Sequence, residues 1–418
     1  NPVVPSVTTE AASSRLWDRL FALAVMGMVA FLLLRPLYIP VVNGDHYVYL
    51  ARHMLQGQLS VNDIPAGYSD VITWQGNKYL PFGPIPSVIL IPFLPLMDLF
   101  HTTESAWVAH LLTLLNIFLL ARILKQMKIE GEPRKWALLL FFGGTNYYAM
   151  EVVSATWYFA HIVVITFLLL AVSEMLGKRR LALVGLFLGL AGMTRITALF
   201  ALPFFLWLLW RDSKDDTITM PVLTLKQKLI SSLTLFAGLA VPLILLLAYN
   251  YARFSNPLES GYGIAGLTYT ALDEARNHGI FGLVHVPKNL FMMLFQGPVA
   301  YPTADAPVLE FPYIQPSPWG MGLFFTTPAL LYLFKTKLRS PFVQACWLAT
   351  LCVMVPIITY YGVGWVQFGY RYALDFLLFL VLIAAISLPK PLTTTARVLI
   401  LASVAINIWG ATFFAKWV

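Results

Sequence analysis

The chain has 418 residues, of which 59% are hydrophobic and 11% charged, with a formal net charge of +8 and a mean hydropathy of +0.73. Soluble domains carry about 25% charged residues, so a water-soluble globular protein and a disordered chain are both excluded. The long unbroken apolar runs exclude an outer-membrane barrel and point to an all-α polytopic membrane protein.

In chain order, residues 1–15 are polar and rich in Ser, Thr and Pro, which predicts a disordered tail ahead of a single transmembrane domain over 16–418. No small-residue cleavage site precedes an early apolar core, so 16–34 is expected to be an uncleaved anchor. Further spans are expected at 104–121, 136–150, 157–177, 181–193, 196–210, 229–250, 319–334, 342–361, 372–388 and 396–415, eleven in all. The pair 181–210 also reads as one tilted helix with Arg195 inside it. Segment 83–97 is apolar but holds Pro84, Pro86, Pro92 and Pro95, and is expected as a short helix at the membrane interface. Residues 284–295 read as a second interface helix introduced by Pro287. Cys346 and Cys352 read as buried thiols with neither disulfide nor metal spacing.

With a cytoplasmic N-terminus, nineteen of the 28 Lys and Arg and eight of the 20 acids fall on the inner side, which is then +11 against −3 outside. This is the bias of the positive-inside rule, so the basic charge gives no reason to expect nucleic acid. The topology leaves two large outer loops, 35–103 and 251–318.

The candidate chemistry lies in those loops and at the outer helix ends. Asp45, in NGDHYVYLARHMLQGQ, reads either as a helix cap or as a general base on an acceptor hydroxyl or amine. His46 and Tyr49 follow it as pocket candidates. Lys78 reads as a membrane anchor's neighbour or as a contact for an anionic ligand. Glu151 is a solvated helix-end acid or a second acid of the same cavity. His161 reads as a packed, hydrogen-bonded group. Arg195 in an apolar stretch either snorkels or holds phosphate. Arg371 either pairs with Asp375 at i+4 or binds phosphate. Asn250, Arg253, Glu259 and Tyr262 surround a Pro/Gly turn, and Lys288 starts the second interface helix. Tyr370 flanks Arg371. P-loop, dinucleotide-fold, HExxH and GxSxG signatures are missing, and the outer loops hold no Asp-x-Asp or Glu-x-Asp pair that would predict a tight dicarboxylate metal site.

Five ordered motifs carry a resemblance along almost the whole chain. They are Gly-Asp-x3-Tyr-x-Ala-Arg (44–52), Lys-Tyr-x-Pro-x-Gly-Pro (78–84), Gly-x-x-Arg (192–195), Tyr-Asn…Arg-Phe-x-Asn-Pro-x-Glu-x-Gly-Tyr (249–262) and Phe-Gly-Tyr-Arg-Tyr (368–372). With them the chain resembles the GT-C membrane glycosyltransferases, in the branch of protein O-mannosyltransferases and the lipid A aminoarabinose transferase. The resemblance implies a GT-C-like bundle and inverting transfer of a sugar from a polyprenyl-phosphate carrier to a glycan, lipid or protein acceptor. It places the active face on the extracytoplasmic side of the plasma (inner) membrane, among membrane lipids. Asp45 would be the general base, and Arg195, Arg371 and either Arg253 or Lys288 would hold the carrier phosphate. Where the mannosyltransferases carry Asp-Glu this chain has Asp45-His46, and it lacks the acidic pair of the oligosaccharyltransferases, so no cofactor or metal is expected to be required. The competing expectations are a transporter or flippase of a lipid-linked substrate, and an inactive sugar-binding subunit.

Overall fold

The computed structural model describes residues 7–34, 45–211, 218, 220–264, 274–302 and 307–417. Gly44 of the first motif, residues 1–6 of the expected tail and parts of both outer loops lie outside them. The chain is mostly helical. Helix α1 (Val7–Leu33) starts inside the segment expected as tail, because Glu-Ala-Ala at 10–12 favours helix and extends the apolar run. Helix α2 (His46–Leu55) is followed by a small hairpin, β1 (Ile72–Trp74) against β2 (Asn77–Tyr79), closed at Gln75 and Gly76, both at positive φ. Two short helices, α3 (Ile85–Leu90) and α4 (Leu94–Leu99), flank a 3-10 turn. Pro86, Pro92 and Pro95 each stand near a helix start, so this segment does not form a continuous span.

The bundle follows with α5 (Ala106–Gln126), α6 (Gly131–Gly143), α7 (Tyr147–Val153), α8 (Trp157–Leu176), α9 (Leu181–Thr194), α10 (Leu202–Trp210) and α11 (Leu225–Phe254). After the loop helix α12 (Val286–Leu294) come α13 (Leu323–Thr326), α14 (Pro341–Thr359), α15 (Leu374–Ser387) and α16 (Thr394–Trp417). Helices α8 and α15 are apolar on every side and buried on nearly all of them, so they form the centre of the bundle. Helices α1 and α11 are peripheral and leave many large apolar side chains exposed.

Among the described residues, six helices are long and apolar enough to cross a membrane: Arg15–Leu33 within α1, and α5, α8, α11, α14 and α16. The other five expected spans are shorter or broken. Fourteen residues of α9 or α15 make about 21 Å of helix, against about 30 Å of hydrocarbon. Segment 136–150 divides at Gly143 and Gly144 into α6 and α7. Segment 319–334 divides at Thr327 into α13 and a 3-10 helix begun by Pro328. Segment 181–210 is two helices, because Arg195 is extended (φ −143°, ψ 115°) and ends α9. Helices α9 and α11 pack backbone to backbone: a Cβ on Gly185 would stand 1.9 Å from the Leu235 carbonyl oxygen, and one on Gly238 1.9 Å from that of Ala182. Ion pairs Arg180–Glu174 (2.8 Å) and Arg397–Glu132 (2.8 Å) fasten the opposite end of the bundle from Asp45.

Candidate functional site

Asp45 takes the helix-cap role that its sequence allowed. It caps α2, accepting from Tyr47 N at 3.1 Å, and it is 2% exposed. Ser105 Oγ donates to its Oδ2, and Thr156 N donates to Oδ1 at 3.3 Å. Burial pushes its carboxyl above the ordinary value of 3.8, against the lowering by these hydrogen bonds. Beside it is a small, partly open recess of about 10 Å³, room for a single water molecule, lined by Asp45, Thr103, Glu104, Ser105, Val153 and Ser154 among others.

The neighbouring imidazole is locked. His46 Nε2 lies 2.8 Å from the Ser69 carbonyl, which only accepts, so Nε2 carries the proton. His46 Nδ1 then accepts from Thr156 Oγ1 at 2.9 Å. That hydroxyl has one proton, so it does not also serve Asp45, 3.4 Å away. Burial lowers the His46 pKa below 6.5 and keeps the ring neutral. Edge contacts with Tyr68, Phe82 and Trp157 hold it in place.

The link between α7 and α8 builds the next part. Ser154 (φ 48°) and Thr156 (φ 44°) are both left-handed without being glycine. This bend sets Thr156 over Asp45 and aims Trp157 outward, where its Nε1 donates to Asp70 at 2.8 Å. Val366, a β-branched residue at φ 47°, accepts from Tyr158 OH at 2.6 Å. Strained positions therefore cluster around Trp157 and Tyr158, as they do at sites held by their surroundings.

Arg371 lies against both rings, 5.9 Å from Trp157 and 5.6 Å from Tyr158, and 5.3 Å from Tyr372. It is 8% exposed. Its Nη1 reaches the Trp365 carbonyl at only 3.4 Å, and its Nε has no hydrogen-bond partner. Among the described residues no carboxylate stands within ion-pair distance of it. The i+4 pair with Asp375 is therefore not formed. Asp375 instead takes Arg195, whose Nε donates to both carboxylate oxygens at 3.0 and 3.1 Å. Thr197 adds a third hydrogen bond at 2.5 Å, and His161 Nδ1 lies 3.2 Å away. Nevertheless Arg195 remains one-fifth exposed and lies 5.4 Å from the Tyr372 ring. Two guanidinium groups thus meet one phenol ring, one anchored by a carboxylate and one not. Tyr262 belongs to the same neighbourhood. Although 38% exposed, its phenol is pushed up by desolvation, then by Asp70 and Tyr372, while Arg195 pulls it down.

Other predicted residues are elsewhere. Arg253 is consumed by the Leu80 carbonyl (2.6 Å), Asn250 (2.8 Å) and the rings of Tyr249 and Phe254, so it fastens α11 to the segment after β2 and is not brought to the Arg195–Arg371 pair. Glu259 caps its own turn through Gly261 N and Gly263 N. Lys78 donates to the Ile64 carbonyl. Lys288 is exposed on α12, and Tyr49 packs edge-on to Tyr68. Tyr370 is wholly buried and donates to Asn289 at 2.8 Å. Glu151 does not line the recess beside Asp45. It pairs with His110 on α5. The sequence reading missed Trp157, Asp70, Ser105 and Thr156. The run Ser-Ala-Thr-Trp at 154–157, between two apolar helices, was the available signal for the bend. No group of three or more His, Cys, Asp or Glu among the described residues is placed to hold a metal ion. No family model, curated protein or solved structure matches the chain.

Proposed function

We propose that the chain is a membrane glycosyltransferase, with a GT-C-like bundle of eleven membrane segments, that moves a sugar from a polyprenyl-phosphate carrier to an acceptor on the extracytoplasmic face. The observation that carries this reading is the pairing of Arg195 and Arg371 across Tyr372, with Arg371 buried and short of an anionic partner. A buried guanidinium without a carboxylate is costly, and a phosphate that arrives with its ligand supplies the missing charge. In this reading the carrier phosphate leaves as an anion stabilised by the two guanidinium groups. Asp45, with its raised pKa, accepts the proton of the acceptor hydroxyl as that oxygen attacks the anomeric carbon. Trp157, Tyr262 and Tyr372 offer ring faces to the sugar. Glycan, lipid and protein acceptors all fit this chemistry, and no metal or cofactor enters it.

A transporter or flippase is the competing reading, favoured by the buried Arg195–Asp375–His161 group, since charges inside a bundle often mark transport paths. Those three residues stand at helix ends rather than mid-span, which favours chemistry at the membrane surface. The deciding experiment uses Asp45→Asn. Transfer of radiolabelled sugar from a polyprenyl-phosphate donor is expected to fall by about 10²–10⁴-fold, with donor binding unchanged. Undiminished transfer would remove Asp45 as the base.

A further inference from the structure

The end of the bundle opposite Asp45 gathers cations that the protein does not match with acids. Helices α5 and α8 start together, since Ser105 and Thr156 both stand against Asp45. They also end together. Gln126 Nε2 donates to the Ser173 carbonyl at 3.1 Å, and a Cβ on Gly177 would stand 3.3 Å from Arg122 Nη2. Six Lys and Arg crowd positions 122–128 and 178–180 at these two ends.

Glu174, the acid of this corner, is taken by Arg180, whose Nε and Nη2 donate to its two oxygens at 2.9 and 2.8 Å. Among the described residues, the guanidinium groups of Arg122 and Arg179 have neither an ion pair nor a hydrogen bond. Arg122 is exposed. Arg179 is half-buried, and its Nη1 is shut off from solvent with no partner. Burial lowers its pKa and no neighbouring charge acts on it, yet a guanidinium stays protonated. The backbone sharpens the point. Arg179 is left-handed at φ 58°, and its N donates to the Glu174 carbonyl at 2.8 Å to close α8. Glycine fills such a position without strain. The partial negative charge of a helix end favours a cation nearby, but it gives Nη1 no acceptor.

Both helices are long and apolar enough to cross a membrane, so their ends lie at about the depth of lipid phosphates. Phe118 and Leu114, both well exposed, stand one and two turns before Arg122 and form an apolar strip leading to it. We propose that Arg122 and Arg179 form a binding site for the headgroup phosphate of an anionic phospholipid, seated where α5 and α8 end. The phosphate oxygens accept from the two guanidinium groups, which suit them geometrically and in charge. A zwitterionic lipid brings a cation of its own and leaves the excess uncompensated. The site is independent of sugar transfer and of which face is cytoplasmic.

The test loads the full chain in detergent with equal amounts of dioleoylphosphatidylglycerol and dioleoylphosphatidylcholine, then quantifies the lipid that co-elutes in size exclusion. The unaltered chain is expected to favour the anionic lipid by about fivefold or more. Arg122→Gln is expected to cut its retention about fivefold, and Arg179→Gly at least as much, since a partly buried charge is screened less. Both variants should keep the thermal transition of the lipid-free protein, because Arg122 is exposed and glycine suits the left-handed backbone. Lys335→Gln combined with Lys337→Gln removes two exposed charges from the same end of the bundle and should change retention less than about twofold. Equal retention of both lipids by the unaltered chain, undiminished retention in either arginine variant, or an equal loss from the lysine pair would overturn the proposal. Loss of the thermal transition in Arg179→Gly would make Arg179 a structural residue and overturn its part in the site. Excess inorganic phosphate, compared with chloride at equal ionic strength, should not displace the lipid. Displacement would show a site for free phosphate and overturn the lipid assignment.

Discussion

Arg371 separates a residue kept for stability from one kept for a ligand. Consider Arg371→Met beside Asp375→Asn. The Arg371 guanidinium has three ring contacts at 5.3–5.9 Å, one long hydrogen bond of 3.4 Å and neutral polar contacts from the Tyr158 and Tyr372 hydroxyls. Cation–π contacts at such distances contribute about 0.5–1 kcal/mol each. Against them stands a desolvation penalty of several kcal/mol for a cation with no ion-pair partner, and methionine of similar length fills the space without it. The variant is expected to be neutral or more stable by about 1–3 kcal/mol. Asp375→Asn has the opposite sign. It strips charge from an acceptor of three hydrogen bonds and leaves Arg195 uncompensated, a loss of about 3–5 kcal/mol for fully buried pairs. Arg195 is one-fifth exposed and water reaches it, so about 2–4 kcal/mol is expected. Thermal unfolding of both variants in the same detergent is the assay, with donor binding measured alongside. Arg371→Met should lose donor binding without losing stability. If it melts as early as Asp375→Asn, Arg371 is a structural residue and the anion-site argument fails.

Two further outcomes bear on pH and topology. The folded-state pKa of His46 is depressed, so its contribution to stability is present above about 6.5 and lost as pH falls through the folded value. His46→Gln should flatten that acid limb in pH-dependent melting, and an unchanged limb would dismiss His46 as its source. A single cysteine placed at position 128 should be labelled only from the cytoplasmic side, and labelling from outside would reverse the proposed orientation.

Much of the architecture was legible because apolar run length is a direct signal for membrane helices. It failed where a short motif outweighs hydropathy. Gly143-Gly144 and Thr327-Pro328 interrupt runs that hydropathy reads as continuous, and Arg195 ends α9 by adopting an extended backbone. At the site, Asp45 and the two arginines were visible because charge in apolar sequence is rare. Their partners were not. The i+4 spacing suggested Arg371 for Asp375, yet the carboxylate points across the bundle to a residue 180 positions earlier. Helical periodicity carries no information about such contacts. Trp157 and Asp70 stayed hidden for the same reason, as an aromatic at a helix start and an acid in a loop have many ordinary uses.

The glycine contact between α9 and α11 restricts traffic. Where a Cβ finds no room, neither does an acyl or prenyl chain, so no long-chain substrate slips between these two helices. Arg195, at the end of α9, therefore stands on a closed wall of the bundle. A lipid-borne ligand that reaches Arg195 does so by a face of the bundle other than the α9–α11 seam.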